Sequence, residues 1–321
     1  MKKQGPLIKN KKLNNLEIYP CNKINQGGFT LIELMVALAL GLIVSAAALQ
    51  LFTSGIIGTR LQQASSEIQD SGVFGLEYIA RDIRLANYGN INQPELNDQT
   101  PWGGVVLTSG SSGTNNFAID LTGVASNSSG LSNVSGSSDQ LTIQFLAPND
   151  MLNCEGEDVK AGEYIIQRYF LRKDDNGVNA TDYSLACDSN KKGVTSRPTK
   201  SSDISEFGGS NKGEIIMPRV DQLRFYLGTI SGNNFTYYSI ENYKKAATAA
   251  RAATKQAPRI VSVKIAVLVR SKDDTKSEFV EPDKAIGFAD TTVTPKDSKT
   301  KYLRREYSTV VALRNALGEK I

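Results

Sequence analysis

The chain has 321 residues, 40% of them hydrophobic and 22% charged, with a formal net charge of +4 and no histidine. Such a balance belongs to a folded protein of one large or two modest domains and excludes a generally basic nucleic-acid binder. Without histidine the commonest general base, the Ser-His and Cys-His nucleophile pairs and the commonest transition-metal ligand are all missing, so enzymatic readings start at a disadvantage.

The charge is unevenly placed. Lys2, Lys3, Lys9, Lys11, Lys12 and Lys23 stand against Glu17 in residues 1–28, a net +5 that leaves −1 for the rest of the chain. From Phe29 to Ile57 the sequence is then apolar, and Leu34 to Leu49 carries no charge. About 20 such residues span a bilayer as a helix, and the upstream lysines predict a cytoplasmic N-terminus with an exported remainder. A secretory signal peptide is the competitor, but its small-residue cleavage site follows the apolar run, whereas Gly27 and Gly28 precede it. Glu33 is out of place in this segment, because a carboxylate there costs a few kcal/mol on insertion scales and calls for a cationic or hydrogen-bonding partner. Snorkelling at the bilayer edge is the plainer alternative.

The run Gly27-Gly28-Phe29-Thr30-Leu31-Ile32-Glu33-Leu34-Met35-Val36-Ala37 resembles the class III signal of type IV pilins and type II secretion pseudopilins. The resemblance implies cleavage after Gly28 by a prepilin peptidase, N-methylation of the new terminal residue Phe29, and a contact between Glu33 and the free amine of a neighbouring subunit during assembly.

From Thr59 to Asn87 apolar residues recur at Leu61, Ala64, Ile68, Val73, Leu76, Ile79, Ile83 and Leu85, which approximates one helix face. Residues 30–87 are thus predicted as one helix on the order of 85 Å long, with Gly72 and Gly75 as places where it bends. After Tyr88-Gly89-Asn90 the pattern changes to short β-prone runs between turn residues: Gly104 to Leu107, Gln140 to Ala147, Glu163 to Arg172, Val220 to Leu227, Phe235 to Ile240, Ile260 to Arg270 and Tyr307 to Arg314. The nearly continuous apolar run from Ile260 predicts a central strand. Glu241 to Gln256, rich in alanine, predicts a short helix. The Ser, Gly and Asn content of 108–139, repeated in 188–213, predicts long surface excursions or partly disordered loops.

Cys21 precedes the apolar segment, while Cys154 and Cys187 follow it; in an exported domain the latter two either oxidise to a disulfide, stabilising by roughly 3–4 kcal/mol, or stay as buried thiols. Asp174-Asp175-Asn176-Gly177 and Asp273-Asp274 invite calcium, but Asp-Asn-Gly is ordinary turn chemistry and no twelve-residue ligand spacing supports a metal. Tyr237-Tyr238 and the aromatic-basic mix near Arg224 raise nucleic-acid contact, although alternating aromatics in strands usually belong to a core. No phosphate loop, CxxC pair or G-x-S-x-G elbow is present, so no catalytic or cofactor-binding residue is assigned.

The two cysteines, Val220 to Gly228 and Leu303 to Asn315 resemble the head of PilW-type minor pilins. The expected fold is α+β, a type IV pilin fold whose long N-terminal helix, membrane-embedded in its first half, packs on a mainly antiparallel β-sheet head with a Cys154–Cys187 bond. The expected divisions are a removed leader (1–28), the membrane and filament-core half of the helix (29–57), its amphipathic half (58–90) and the exported head (91–321). The resemblance implies a non-catalytic subunit that primes pilus assembly and sits at the pilus tip, without cofactor or metal. Implied partners are other minor pilins, the major pilin, a large tip adhesin, the inner-membrane assembly platform and the prepilin peptidase. A J-type pseudopilin or a tip-displayed ligand-binding module are the alternatives. The implied location is the inner membrane, with a periplasmic head, and then the extracellular pilus.

Overall fold

The computed structural model describes residues 28–177, 179–190, 193–204, 207 and 213–318. Residues 1–27 of the expected leader, including Cys21, lie outside the described residues, as do parts of 188–213. The chain divides into two compact units, ending at Thr53 and beginning at Ser54. In the first unit, helix α1 (Leu31–Ile83) starts after Thr30, and every residue up to Thr53 is exposed.

The second unit begins with the rest of α1. Its strands in chain order are β1 (Asn127–Gly130), β2 (Ser138–Leu146), β3 (Met151–Leu152), β4 (Asp158–Val159), β5 (Tyr164–Lys173), β6 (Tyr183–Ser189), β7 (Glu214–Met217), β8 (Val220–Ser231) and β9 (Asn234–Ser239). Helix α2 (Ile240–Ala252) follows, then β10 (Arg259–Arg270), β11 (Ile286–Phe288), β12 (Thr291–Val293) and β13 (Arg304–Ala312). Two antiparallel sheets carry the head, one ordered β1-β2-β5-β6-β7 and the other β13-β10-β8-β9, with β3-β4 and β11-β12 as small hairpins. The protein is therefore α+β.

The two sheets and the second part of α1 share one core, in which Ile68, Leu76, Ile79 and Ile83 meet Ile165, Tyr169 and Leu171 of β5 and Val263, Ile265 and Val267 of β10. β10 is central, as its apolar run predicts, between β13 and β8. Its other face is covered too: Ala266 and Leu268 pack with Val134, Phe288 and Val293. Apolar residues at nearly every position follow from burial on both sides.

Several expectations change. α1 ends at Ile83, not Asn87, because Asn87 adopts a left-handed φ of 70°. Its side chain donates to the carbonyls of Pro94 (3.1 Å) and Asn315 (2.9 Å) and accepts from the Gly104 amide (2.9 Å), which stops the helix and ties down three segments. Gly72 and Gly75 sit inside the continuous helix. A Cβ on Gly72 would lie 2.6 Å from Cγ and Cε2 of Tyr307, and one on Gly75 would overlap the Met217 methyl, so these glycines allow close approach to the helix. Val73, predicted on the buried face, is 51% exposed.

Gly104 to Leu107 forms only a single bridge, Val105 to Ile143, and no strand. The segment 108–139 is not a surface excursion: it contains β1, and Phe117, Ile119 and Val124 are buried against Tyr164 and Ile166 of β5. Asn116, fully buried, accepts from the Leu107 and Thr108 amides at 3.0 Å and so satisfies backbone that no ladder reaches. Composition hid this because a few well-spaced apolar anchors suffice when side-chain amides replace strand pairing. Within 188–213, Ile204 and Phe207 join the same cluster.

Candidate assembly interface

Twenty-odd apolar side chains cannot stay in water as a contiguous surface. Between Glu33 and Arg60 the chain carries no charge, and its large side chains stand open, as with Leu42 at 71% and Leu51 at 76% exposure. Lipid or neighbouring chains must cover them, and α1 is long and apolar enough to cross a membrane.

At the start of this helix Thr30 and Glu33 form a capping box. The Thr30 hydroxyl accepts from the Glu33 amide at 3.3 Å, while Glu33 Oε2 accepts from the Thr30 amide (3.4 Å) and hydroxyl (3.3 Å). Glu33 thus has a local hydrogen-bonding partner, and the anion stands at the positive end of the helix dipole. The T-x-x-E spacing of Thr30 and Glu33 is the sequence signature of this cap. Gly28 is exposed, with open space where a Cβ would stand, and Phe29 is 88% exposed.

Cys154 and Cys187 are joined in a disulfide, with Cα atoms 6.0 Å apart, that pins the turn between β3 and β4 to β6. The Cys154 carbonyl also accepts from the Tyr78 hydroxyl of α1 at 3.2 Å. Beside the bond lies an acidic group of the kind that burial perturbs: Glu155 has its pKa pushed up to about 7, chiefly by burial and further by Asp188, Glu157 and Glu214, against the opposing Ser189 amide.

Three of the four carboxylates weighed as calcium ligands are otherwise engaged. Asp175 pairs with Arg172 at 2.8 Å, Asp274 with Lys276 at 2.7 Å, and Asp174 with Arg219 at 3.5 Å. The Asp174 amide bonds the Asp182 carbonyl across the β5–β6 turn, as the Asp-Asn-Gly pattern predicts. Behind it lies a buried ion network with no local sequence signal. Asp182 holds Arg219 (3.0 Å) and Arg270 (2.6 Å), and Asp221 holds Arg270 (3.0 Å) and Arg304 (2.7 Å), with Arg270 stacked on Tyr302 at 4.1 Å. Desolvation alone would raise the Asp182 carboxyl, but the Asn179 amide and the two guanidinium groups hold it below its usual range. Among the described residues, no group of three or more His, Cys, Asp or Glu side chains is placed to hold a metal. In β9, Tyr238 packs against the core, while Phe235 and Tyr237 face outward, against the expectation of buried aromatics.

Residues 168–315, the span from β5 to the end of β13, match the family described as Type IV Pilus-assembly protein W. Residues 23–49 match the prokaryotic N-terminal methylation motif. No curated protein matches the chain. A solved type IV-like pilin from Thermus thermophilus is similar at a TM-score of 0.39 and 12% identity, over 77% of this chain and 97% of that one. The methylation motif and the apolar helix suit anchoring in the inner membrane before entry into a pilus. The match to this family over the strands of the head and the methylation motif at the start of the helix together support a type IV minor pilin of the PilW type.

Proposed function

We propose that this minor pilin is a non-catalytic subunit that helps prime pilus assembly and takes its place at the pilus tip. In this reading residues 1–28 are a leader removed after Gly28, and Phe29 becomes the N-methylated terminus. Residues 29–57 wait in the inner membrane and later pack in the filament, 58–90 form the amphipathic half of the helix and the turn that ends it, and 91–321 form the periplasmic head. Glu33 uses one oxygen in its own cap and offers the other to the terminal amine of a neighbouring subunit. Partners are other minor pilins, the major pilin, a large tip adhesin, the assembly platform and the prepilin peptidase. The observation that carries the proposal is the fully exposed apolar first part of the helix, with its acidic residue in the first turn, a surface that only lipid and like helices can cover.

Intact-mass and N-terminal analysis of wild type and Glu33→Ala from native membranes, alongside sheared pili, tests it. The expected result is N-methylated Phe29 at the terminus of both proteins, with the variant reduced at least several-fold in pili. An uncut Met1 terminus or a cut near Ala48 would remove the processing scheme, and undiminished incorporation of Glu33→Ala would remove the assembly role of Glu33.

A further inference from the structure

A cleft of about 530 Å³ opens in the head. One wall is the stretch from Gln93 to Thr100, which ends in a turn and whose side chains alternate in burial: Pro94, Leu96, Asp98 and Thr100 are buried, while Gln93, Glu95, Asn97 and Gln99 are half-exposed and line the cleft. This wall is fixed from behind. The Leu96 carbonyl accepts from the Ile260 amide at 2.7 Å, and the Thr100 hydroxyl donates to the Glu95 carbonyl at 2.7 Å. Opposite stand Gln256 and the β8–β9 turn with Ile230. Among the described residues the side chains of Gln93, Glu95, Gln99 and Gln256 have no hydrogen-bond or ionic partner. Three primary amides and a carboxylate therefore line the cleft with their bonding capacity unspent.

The cations of the cleft are committed. Arg251 binds Asp98 through both carboxylate oxygens, the first at 2.9 Å, and Arg259 donates to the carbonyls of Ala316 (2.6 Å) and Gly318 (2.6 Å). Arg251 and Arg259 balance Asp98 and Glu95, so the cleft offers neither an anion nor a cation a net charge to bind. What it offers is a neutral, hydrogen-bonding wall beside an apolar rim. Ile230 pairs across the strands with Phe235, which is 51% exposed and meets Tyr237 edge to face at 5.0 Å. Both rings lie over Gly228, where a Cβ would come within 2.9 Å of Tyr237 and 3.0 Å of Phe235. The rings are thus preorganised on the outer face of the sheet.

Paired donors and acceptors beside an aromatic platform fit one ligand chemistry well. Vicinal hydroxyls bond amide and carboxylate groups in pairs, while the C–H faces of a sugar ring stack on aromatics. We propose that this cleft binds a neutral oligosaccharide, with Gln93, Glu95, Gln99 and Gln256 engaging hydroxyls and the Phe235–Tyr237 pair receiving a ring face. The site belongs to the head alone and is measured on unassembled protein, so its failure would leave the assembly reading untouched.

The test is saturation-transfer NMR on the full chain in micelles of lauryldimethylamine oxide, a detergent without a sugar headgroup. The probes are cellotriose, maltotriose and triacetylchitotriose. At least one should receive saturation from the wild type and lose at least five-fold of it both in the double variant Gln93→Ala/Gln99→Ala and in Phe235→Ala, whose far-UV and near-UV spectra stay native. No transfer to any of the three, or transfer undiminished in the variants, overturns the proposal. So does transfer to the neutral peptide acetyl-(Asn-Gly)₃-amide in place of the sugars.

Discussion

Gly72 and Gly75 lie one turn apart on the same buried face of α1, and the same substitution is expected to have opposite effects at each. Alanine for glycine inside a helix gains about 1 kcal/mol from propensity, whereas an overpacked contact costs about 1–3 kcal/mol. At Gly72 the new methyl carbon would sit 2.6 Å from Cγ and Cε2 of Tyr307, a flat ring on β13 that cannot fold away. Gly72→Ala should therefore lose a net 1–2 kcal/mol, roughly 2–6 °C in melting temperature for a unit of this size. At Gly75 the overlap is with the terminal methyl of Met217, whose Cβ and Cγ stay at 3.2 and 3.3 Å. That tail is flexible, and Gly75 itself borders a groove of about 330 Å³ beside Phe74, Tyr78 and Ile216, so it can give way where the ring cannot. Gly75→Ala should be neutral or gain up to about 1 kcal/mol. Thermal unfolding of the full chain in micelles, followed by near-UV circular dichroism, separates the two. Tyr307→Ala should then abolish most of the penalty of Gly72→Ala. Equal shifts for both variants, or a penalty at Gly72 that survives removal of the ring, would refute close approach as the reason for these glycines.

Two further outcomes follow from the head. Replacing Cys154 and Cys187 together by serine opens a loop with a sequence separation of 33 and should cost about 3–4 kcal/mol in the chain-entropy account, read as a lower melting temperature that added reductant does not lower further. Glu155 binds its proton more tightly in the folded state, with a pKa of about 7 raised mainly by burial. Its folded form thus holds a proton that the unfolded chain has released, and the head should lose stability as pH rises from the ordinary glutamate range through 7. Glu155→Gln should flatten that part of the stability profile between pH 5 and 8, and an unchanged slope would exclude this carboxyl as the source.

How much of this was legible in the sequence depends on how far apart the cooperating residues lie. The apolar run after Gly28 and the alternation in Ile260 to Val269 are contiguous, so periodicity alone placed the helix and a central strand. Cys154 and Cys187 were legible because a pair in an exported domain has few alternatives. The β5–β6 turn was legible from Asp-Asn-Gly. The ion network was not, since Asp182, Asp221, Arg270 and Arg304 meet only after two sheets are in register. The buried role of Asp82 was hidden for the same reason: it sits on the core face of α1 and accepts from the Tyr169 hydroxyl at 3.0 Å, 87 residues away in sequence. Burial pushes its carboxyl above the usual range in spite of that bond and of Arg81. In 108–139 composition misled, because Asn116 and Ser126 do the backbone pairing that strands usually do.

The two units place opposite demands on their surroundings. The head closes on itself: it has a shared core of helix and two sheets, a disulfide, and a balanced set of buried aspartates and arginines. Buried ion pairs roughly break even in free energy, so the network contributes less to stability than to holding the β5–β6 turn against the ends of β10 and β13. The segment from Leu31 to Phe52 has no such closure, and none of its side chains is even half-buried by its own chain. Its apolar area, at about 25 cal/mol per Å², is stabilising only when other molecules supply the contact. Recognition can then be divided: the helix needs merely apolar neighbours, whereas anything selective must be read by the polar surfaces of the head.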